Sequence, residues 1–294
     1  MMQVRVAGIG VLGPGLQGWA KSAPILRGET PYAAEPLVLS APEILSGRER
    51  RRSSPTVRLA LNAAHEAVDQ AGIPAPDLAA VFGSSNGSGL EIHQILEALT
   101  KPEMPVSPTQ FHNSVHNSAV GYWCIATSSH QPTTSIAAHD YTVPASILKA
   151  AAQSVTENRP VLLTVFDCPF PAPLDGKRHV VAPVAVALVL TPAAVPGARA
   201  MMSLSWRAGA GRGGDTRPRV SALSDLWTGN PVGRALPLLE ALALGQPATI
   251  RLRYPANCRR CETLLGPGSE AVWDRTTKSA TCVGCVDSPA FAGE

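Results

Sequence analysis

Ser135-Ile136-Ala137-Ala138-His139-Asp140 stands between a polar turn, Ser128-Ser129-His130-Gln131-Pro132, and an apolar run at helical spacing over residues 143–155. Thr133-Thr134-Ser135-Ile136 reads as a strand, so the stretch is a strand-to-helix junction. An α/β enzyme holds a nucleophile at such a junction, where the helix N-terminus favours an anion. Ala138 offers only a methyl group there.

Working outward, apolar runs and helical patterns alternate along the chain. Residues 4–11 form a strand that enters the turn Gly13-Pro14-Gly15. Ser54 caps a helix with Pro55 at its first position. Val57, Leu59, Ala60, Ala63, Ala64, Ala67, Val68 and Ala71 give that helix a broad apolar face, and Gly72 stops it. Residues 78–83 read as a short buried strand, 90–99 and 118–127 as helices, and 160–166 and 180–190 as further strands. Helix 236–244 and strand 249–254 follow. This order predicts an α/β layered fold with a mainly parallel sheet, its buried strands read as continuous apolar runs. Arg207-Ala208-Gly209-Ala210-Gly211-Arg212-Gly213-Gly214-Asp215 reads as a loop of low complexity.

Composition narrows the function classes. The chain has 294 residues, 45% hydrophobic and 16% charged, which suits one large domain with an appendage. A net charge of +3 with no basic run interleaved with aromatics argues against nucleic-acid binding. Arg48-Glu49-Arg50-Arg51-Arg52 is expected to be a solvated loop. Residues 180–198 are apolar but broken by Pro183, Pro192 and Pro196, a buried strand and not a membrane span. The N-terminus lacks the pattern of a signal peptide, so a cytoplasmic location is expected.

The polar clusters each have a bland reading that outweighs the chemical one. His139 and Asp140 are sequence neighbours, which do not share a helix face, so Asp140 is expected to cap the helix or to pack at an interface. His112 and His116 are spaced for a shared helical face but lack an acidic third ligand, and a loop or interface role is expected. Ser84-Ser85-Asn86-Gly87-Ser88-Gly89 lacks the lysine and full glycine fingerprint of a phosphate loop and reads as a plain turn. Cys124 is expected to be a buried small hydrophobe, and nothing marks Cys168 as activated.

The other four of the six cysteines form two CxxC pairs, Cys258/Cys261 and Cys282/Cys285. Four thiolates at this spacing suit tetrahedral, structural Zn²⁺ with no open position for substrate. Between them Leu265-Gly266-Pro267-Gly268 is a turn, and Ala271-Val272-Trp273-Asp274 can pair with Ser279-Ala280-Thr281 across Arg275-Thr276-Thr277-Lys278. The tail is read as a zinc ribbon covering 254–294, beside a larger domain covering 1–253.

That larger domain resembles the N-terminal half of a β-ketoacyl synthase over residues 1–195, and more loosely to 253. The matching pieces are 54–72, 81–89, 107–122 and 134–165. Ser107-Pro108, Phe111, Asn113, Asn117 and Gly121 follow the family's spaced motif. The resemblance implies a thiolase-like fold, with the family's nucleophilic cysteine falling at Ala138. His139, Asp140 and Tyr141 replace the small residues of its elbow. The two histidines that decarboxylate the extender unit belong to the family's second half, whereas the last histidine here is His179. The likeness is closest to short chain-length factors of aryl-polyene-type pathways. It implies a subunit with no catalytic residues of its own, carrying a degenerate elbow at Ala138, His139 and Asp140. Such a subunit pairs with a catalytic ketosynthase, meets acyl carrier protein only indirectly, shapes the acyl tunnel, and needs neither nucleic acid nor membrane. The alternatives are a zinc-ribbon adaptor and a diverged thioester-processing enzyme using His139 or Cys168.

Overall fold

The computed structural model describes residues 2–195, 200–204, 215–245, 249–251, 256–266, 269–274, 279–282 and 285. The expected loop at 207–214, the turn residues 267–268 and the hairpin connection 275–278 lie outside them. Contacts divide the chain into two units, Met1–Glu240 and Ala241–Glu294.

The first unit is built on β1 (Met2–Gly13), β2 (Leu16–Gln17), β3 (Ala79–Gly83), β4 (Thr133–Ile136), β5 (Val161–Asp167), β6 (Val184–Pro192) and β7 (Ala200–Leu204). They form one sheet in the order β2-β1-β6-β5-β3-β4, with β7 also pairing β1. Strands β4, β3 and β5 run parallel. Strand β6 runs against both β5 and β1, so β1, β3, β4 and β5 share one direction. The sheet is therefore mixed, with β6 reversed at its centre and β2 and β7 reversed beside β1.

Its helices are α1 (Trp19–Leu26), α2 (Gly47–Arg52), α3 (Pro55–Ala71), α4 (Gly89–Leu99), α5 (Pro108–Ser114), α6 (Ser118–Thr127), α7 (Thr142–Thr156) and α8 (Ser224–Gly229), while α9 (Leu236–Leu244) begins in this unit. The α3 signals act as read: Ser54 Oγ accepts from Val57 N at 3.1 Å, and Gly72 takes the left-handed conformation at the C-terminus. The arginine-rich stretch expected as a loop is instead the short helix α2, capped by Ser46 and without a buried residue. A capped turn with Glu49 at its start and arginines at its end satisfies its own backbone while staying solvated.

Both faces of the sheet are covered. Leu162 and Phe166 on β5 and Ala185, Ala187 and Val189 on β6 join α3 and α6 in one core. The alternate residues, Leu163, Val165, Val186 and Leu188, are buried on the opposite side, where α7 crosses β1, β3, β5 and β6. Two-sided burial explains why these strands read as unbroken apolar runs. The closest approach is that of α3 to β1. A methyl on Gly8 or Gly10 would overlap the backbone oxygens of Ala67 or Ala63, so only glycine lets the alanine face of α3 settle there.

The second unit carries β8 (Thr249–Arg251), β9 (Ala256–Asn257), β10 (Leu264–Leu265), β11 (Glu270–Asp274) and β12 (Ser279–Cys282). The expected hairpin is present, with Ala271 opposite Cys282 and Asp274 opposite Ser279. Strand β8 pairs with the other side of β11. The contacts therefore divide before β8, although the boundary was expected at 253. Among the described residues no helix is long and apolar enough to cross a membrane.

Candidate functional site

Strand β4 ends at Ile136, and the chain turns through Ala138 into a single 3-10 turn, His139–Tyr141, before α7. Thr142 Oγ1 closes the elbow. It accepts from Ala138 N at 3.0 Å and donates to the His139 carbonyl at 2.7 Å. His139 sits at φ 52, in the left-handed region that costs a histidine about 1 kcal/mol or more. The junction thus has an elbow's geometry with a methyl group at Ala138.

The side chains of His139 and Asp140 are joined through Arg178, which the sequence did not single out. Its guanidinium donates to Asn86 Oδ1, His139 Nε2 and Asp140 Oδ1, each at 2.8 Å, and to Ser85 Oγ at 3.2 Å. A guanidinium has no acceptor, so His139 Nε2 must present its lone pair to Arg178 and keep its proton on Nδ1. That Nδ1 lies 3.4 Å from Asp140 Oδ2. The nitrogen that could serve as a base is already occupied. Asp140 does not cap the helix as expected, because its carboxylate faces Arg178 and not backbone amides. Partial burial would raise the Asp140 carboxyl. The hydrogen bond and charge of Arg178, with the field of Arg234, outweigh that and hold it below its ordinary value.

Behind this surface lies a second carboxylate. Asp167, at the end of β5, is fully buried. Its Oδ1 accepts from Ser84 Oγ at 2.8 Å, Ser85 N at 2.9 Å and Asn86 N at 3.0 Å, and Oδ2 accepts from Ser85 Oγ at 2.7 Å. Burial pushes its carboxyl up, and these bonds pull against that. The turn after β3 is therefore not a phosphate loop: its amides are filled by the protein's own carboxylate. The sequence signal was a lone acid closing the apolar run of β5.

The remaining candidates separate. His112 lies on α5, with its ring edge-on to Tyr122 at 5.6 Å, while His116 lies beyond the helix with Nε2 2.9 Å from Ser84 O. They share no helical face. Burial pushes the Cys168 thiol up to about 12, the reverse of an activated nucleophile. Cys124 packs against the main core and is likewise raised by burial.

In the second unit the four cysteines do converge. The sulfurs of Cys258, Cys261, Cys282 and Cys285 all lie within 4.8 Å of one another. Cys261 Sγ and Cys282 Sγ are 3.7 Å apart. The edge of a tetrahedron with Zn–S bonds of 2.3 Å is about 3.8 Å. Backbone amides of Cys261 and Cys282 draw the Cys258 thiol down to about 6. Neighbouring sulfurs, Cys282 first, push Cys285 up to about 12. Four thiols this close cannot all ionise by themselves, and a bound cation removes that conflict. The donor set fits a structural metal ion.

The fold agrees with the comparisons to known proteins. The family model of the β-ketoacyl synthase N-terminal domain matches residues 25–231, and the chain belongs to that family. A chain from the complex of a ketosynthase with its chain length factor, from Xenorhabdus doucetiae, is similar with a TM-score of 0.64 and 21% identity, over 85% of this chain and 95% of that one. A chain from the complex of a type II polyketide acyl carrier protein with its ketosynthase gives a TM-score of 0.56 at 14% identity, over 65% of this chain and 63% of that one. A β-ketoacyl synthase from Burkholderia phymatum gives 0.52 at 14% identity, and this chain covers 59% of it. The fold is the thiolase-like layered fold of ketosynthases, and this chain spans about six-tenths of the latter two. No curated protein matches it.

Proposed function

We propose that this chain is a non-catalytic ketosynthase-like subunit, a chain-length factor, that pairs with an active β-ketoacyl synthase in fatty acid or polyketide biosynthesis and shapes its acyl tunnel. The observation that carries the reading is the elbow. It keeps the strand, turn and helix of a nucleophile site but holds Ala138 there, with His139 and Asp140 locked by Arg178. Without a thiol or hydroxyl at 138 no acyl group is loaded covalently at that position. Near-complete coverage of a chain from a ketosynthase–chain length factor complex supports a subunit of this size.

The partner docks, in this reading, along β4. It is the last strand of the sheet, and its outer edge carries no strand among the described residues. Ile125 on the contacting helix α6 and Tyr141 just beyond β4 are 60% and 66% exposed. An open edge beside exposed apolar side chains is a docking surface or an aggregation hazard. The tail binds Zn²⁺ as a structural ion, and acyl carrier protein reaches the subunit only through the partner.

Coexpression with a full-length ketosynthase tests the proposal. A stable heterodimer that Ile125→Glu and Tyr141→Glu disrupt is expected, with no acyl adduct on the isolated chain after incubation with acyl thioesters. A covalent adduct on this chain, or thioester turnover lost in His139→Ala, would sink it.

A further inference from the structure

Beside the elbow, between His139–Asp140, the segment Lys177–His179 and the stretch from Thr228 to Arg234, lies a recess of ≈ 360 Å³. Three permanent cations line it, Lys177, Arg178 and Arg234, together with the rings of His139 and His179. Asp140 is the one carboxylate in the lining. The charge is unbalanced, and it is unbalanced at fixed positions. Arg178 gives four of its five N–H donors to Asn86, Ser85, His139 and Asp140 and is held in place by them. Arg234 lies over the Trp227 ring, 4.4 Å from its centroid, and its only ion pair among the described residues is with the half-exposed Asp215. Lys177 and His179 are exposed, and neither makes a hydrogen bond or ion pair within the described residues. Asp140 and Asp215 each neutralise one cation, which leaves a surplus of about one charge, and a ligand that displaces the half-exposed Asp215 from Arg234 meets two.

We propose that this recess is an anion site for a phosphate monoester, gripped by Lys177, Arg234 and His179 over a rigid floor formed by Arg178. With Asp215 displaced from Arg234, two surplus cations match a dianion better than a carboxylate. A lysine point charge with a preset guanidinium is a common phosphate grip. The recess is wider than one phosphate group, leaving room for the organic part of the ester. Nothing in this requires a partner subunit, so the site stands or falls separately from the pairing role.

The experiment is a titration of the full chain with inorganic phosphate and with glycerol phosphate, followed by ³¹P NMR and by tryptophan fluorescence from Trp227. Saturable binding in the millimolar range or tighter is expected, weakening as salt is added. Lys177→Met, an exposed change that leaves the fold alone, weakens binding roughly tenfold, as the loss of one charge-assisted contact does. Asp215→Ala frees Arg234 and tightens binding several-fold, a gain that a misfolded protein cannot mimic. If glycerol phosphate binds more tightly than inorganic phosphate, the organic moiety is held as well. Equal affinity for chloride at matched ionic strength, binding unchanged in both variants, or no saturation at all would overturn the proposal.

Discussion

Arg178 is the residue on which the polar half of this molecule depends. Its partners lie 38 to 93 residues away along the chain. Distance of that kind is why the sequence did not reveal it, although Ala138, His139 and Asp140 were legible from local pattern. Arg178→Met leaves Asn86 and Ser85 without their donor and is expected to cost about 2 kcal/mol at neutral pH, measured as a shift in the urea midpoint. The Asp140 contact adds less, because that carboxylate is half exposed and screened. It also sets the pH dependence. A carboxyl held below its ordinary value stabilises the fold above that value and loses the contribution as pH falls through its folded pKa. The gap between wild type and Arg178→Met should therefore narrow in acid. A gap that widened in acid would contradict the ion pair.

At the scale of elements, the decisive contact is helix α3 on strand β1. Its cap, first proline and terminal glycine are local signals, and all were readable from residues 54–72. The reason for Gly8 and Gly10 was not readable, because it lies in the backbone of a helix far along the chain. Gly10→Ala is expected to cost about 2–3 kcal/mol through overpacking, seen as a fall in melting temperature. The obstacle is the Ala63 carbonyl oxygen, so adding Ala63→Gly does not restore stability. Gly121→Ala on α6 is the contrasting case. Nothing lies within 4 Å of the new methyl, and the helix gains about 0.5–1 kcal/mol. The short strand β8 was expected to belong to the large domain. With three residues its pairing is chosen by tertiary fit to β11, not by its own pattern.

At the scale of the whole molecule, the chain combines a unit with a large two-sided core and a unit in which, among the described residues, Cys258, Leu265, Ala271 and Ala280 cluster beside the four sulfurs. A segment of this length has little apolar surface to bury against the entropy of ordering it, so the second unit is expected to fold through a metal ion. Elemental analysis should find one zinc per chain. Chelation, or Cys258→Ser with Cys282→Ser, should abolish hydrogen-exchange protection in β11 and β12 while leaving the main unfolding transition in place. Protection that survives chelation would show that the cysteines hold no essential ion. The CxxC spacing made the convergence of the four cysteines legible, since each short pair already holds two thiols at one turn. The mixed sheet was less legible, because a reversed strand such as β6 carries the same apolar run as a parallel one.

Asp167 has a further consequence, which belongs to history more than to energetics. A turn of small residues between a strand and a helix is a place where many lineages have acquired an anionic ligand. In this chain that vacancy is taken by a tethered anion, its charge supplied by the same polypeptide and its donors already spent. Any descendant that bound phosphate at Ser85 and Asn86 would first have to lose Asp167, and with it the bonds that tie the turn after β3 to the end of β5.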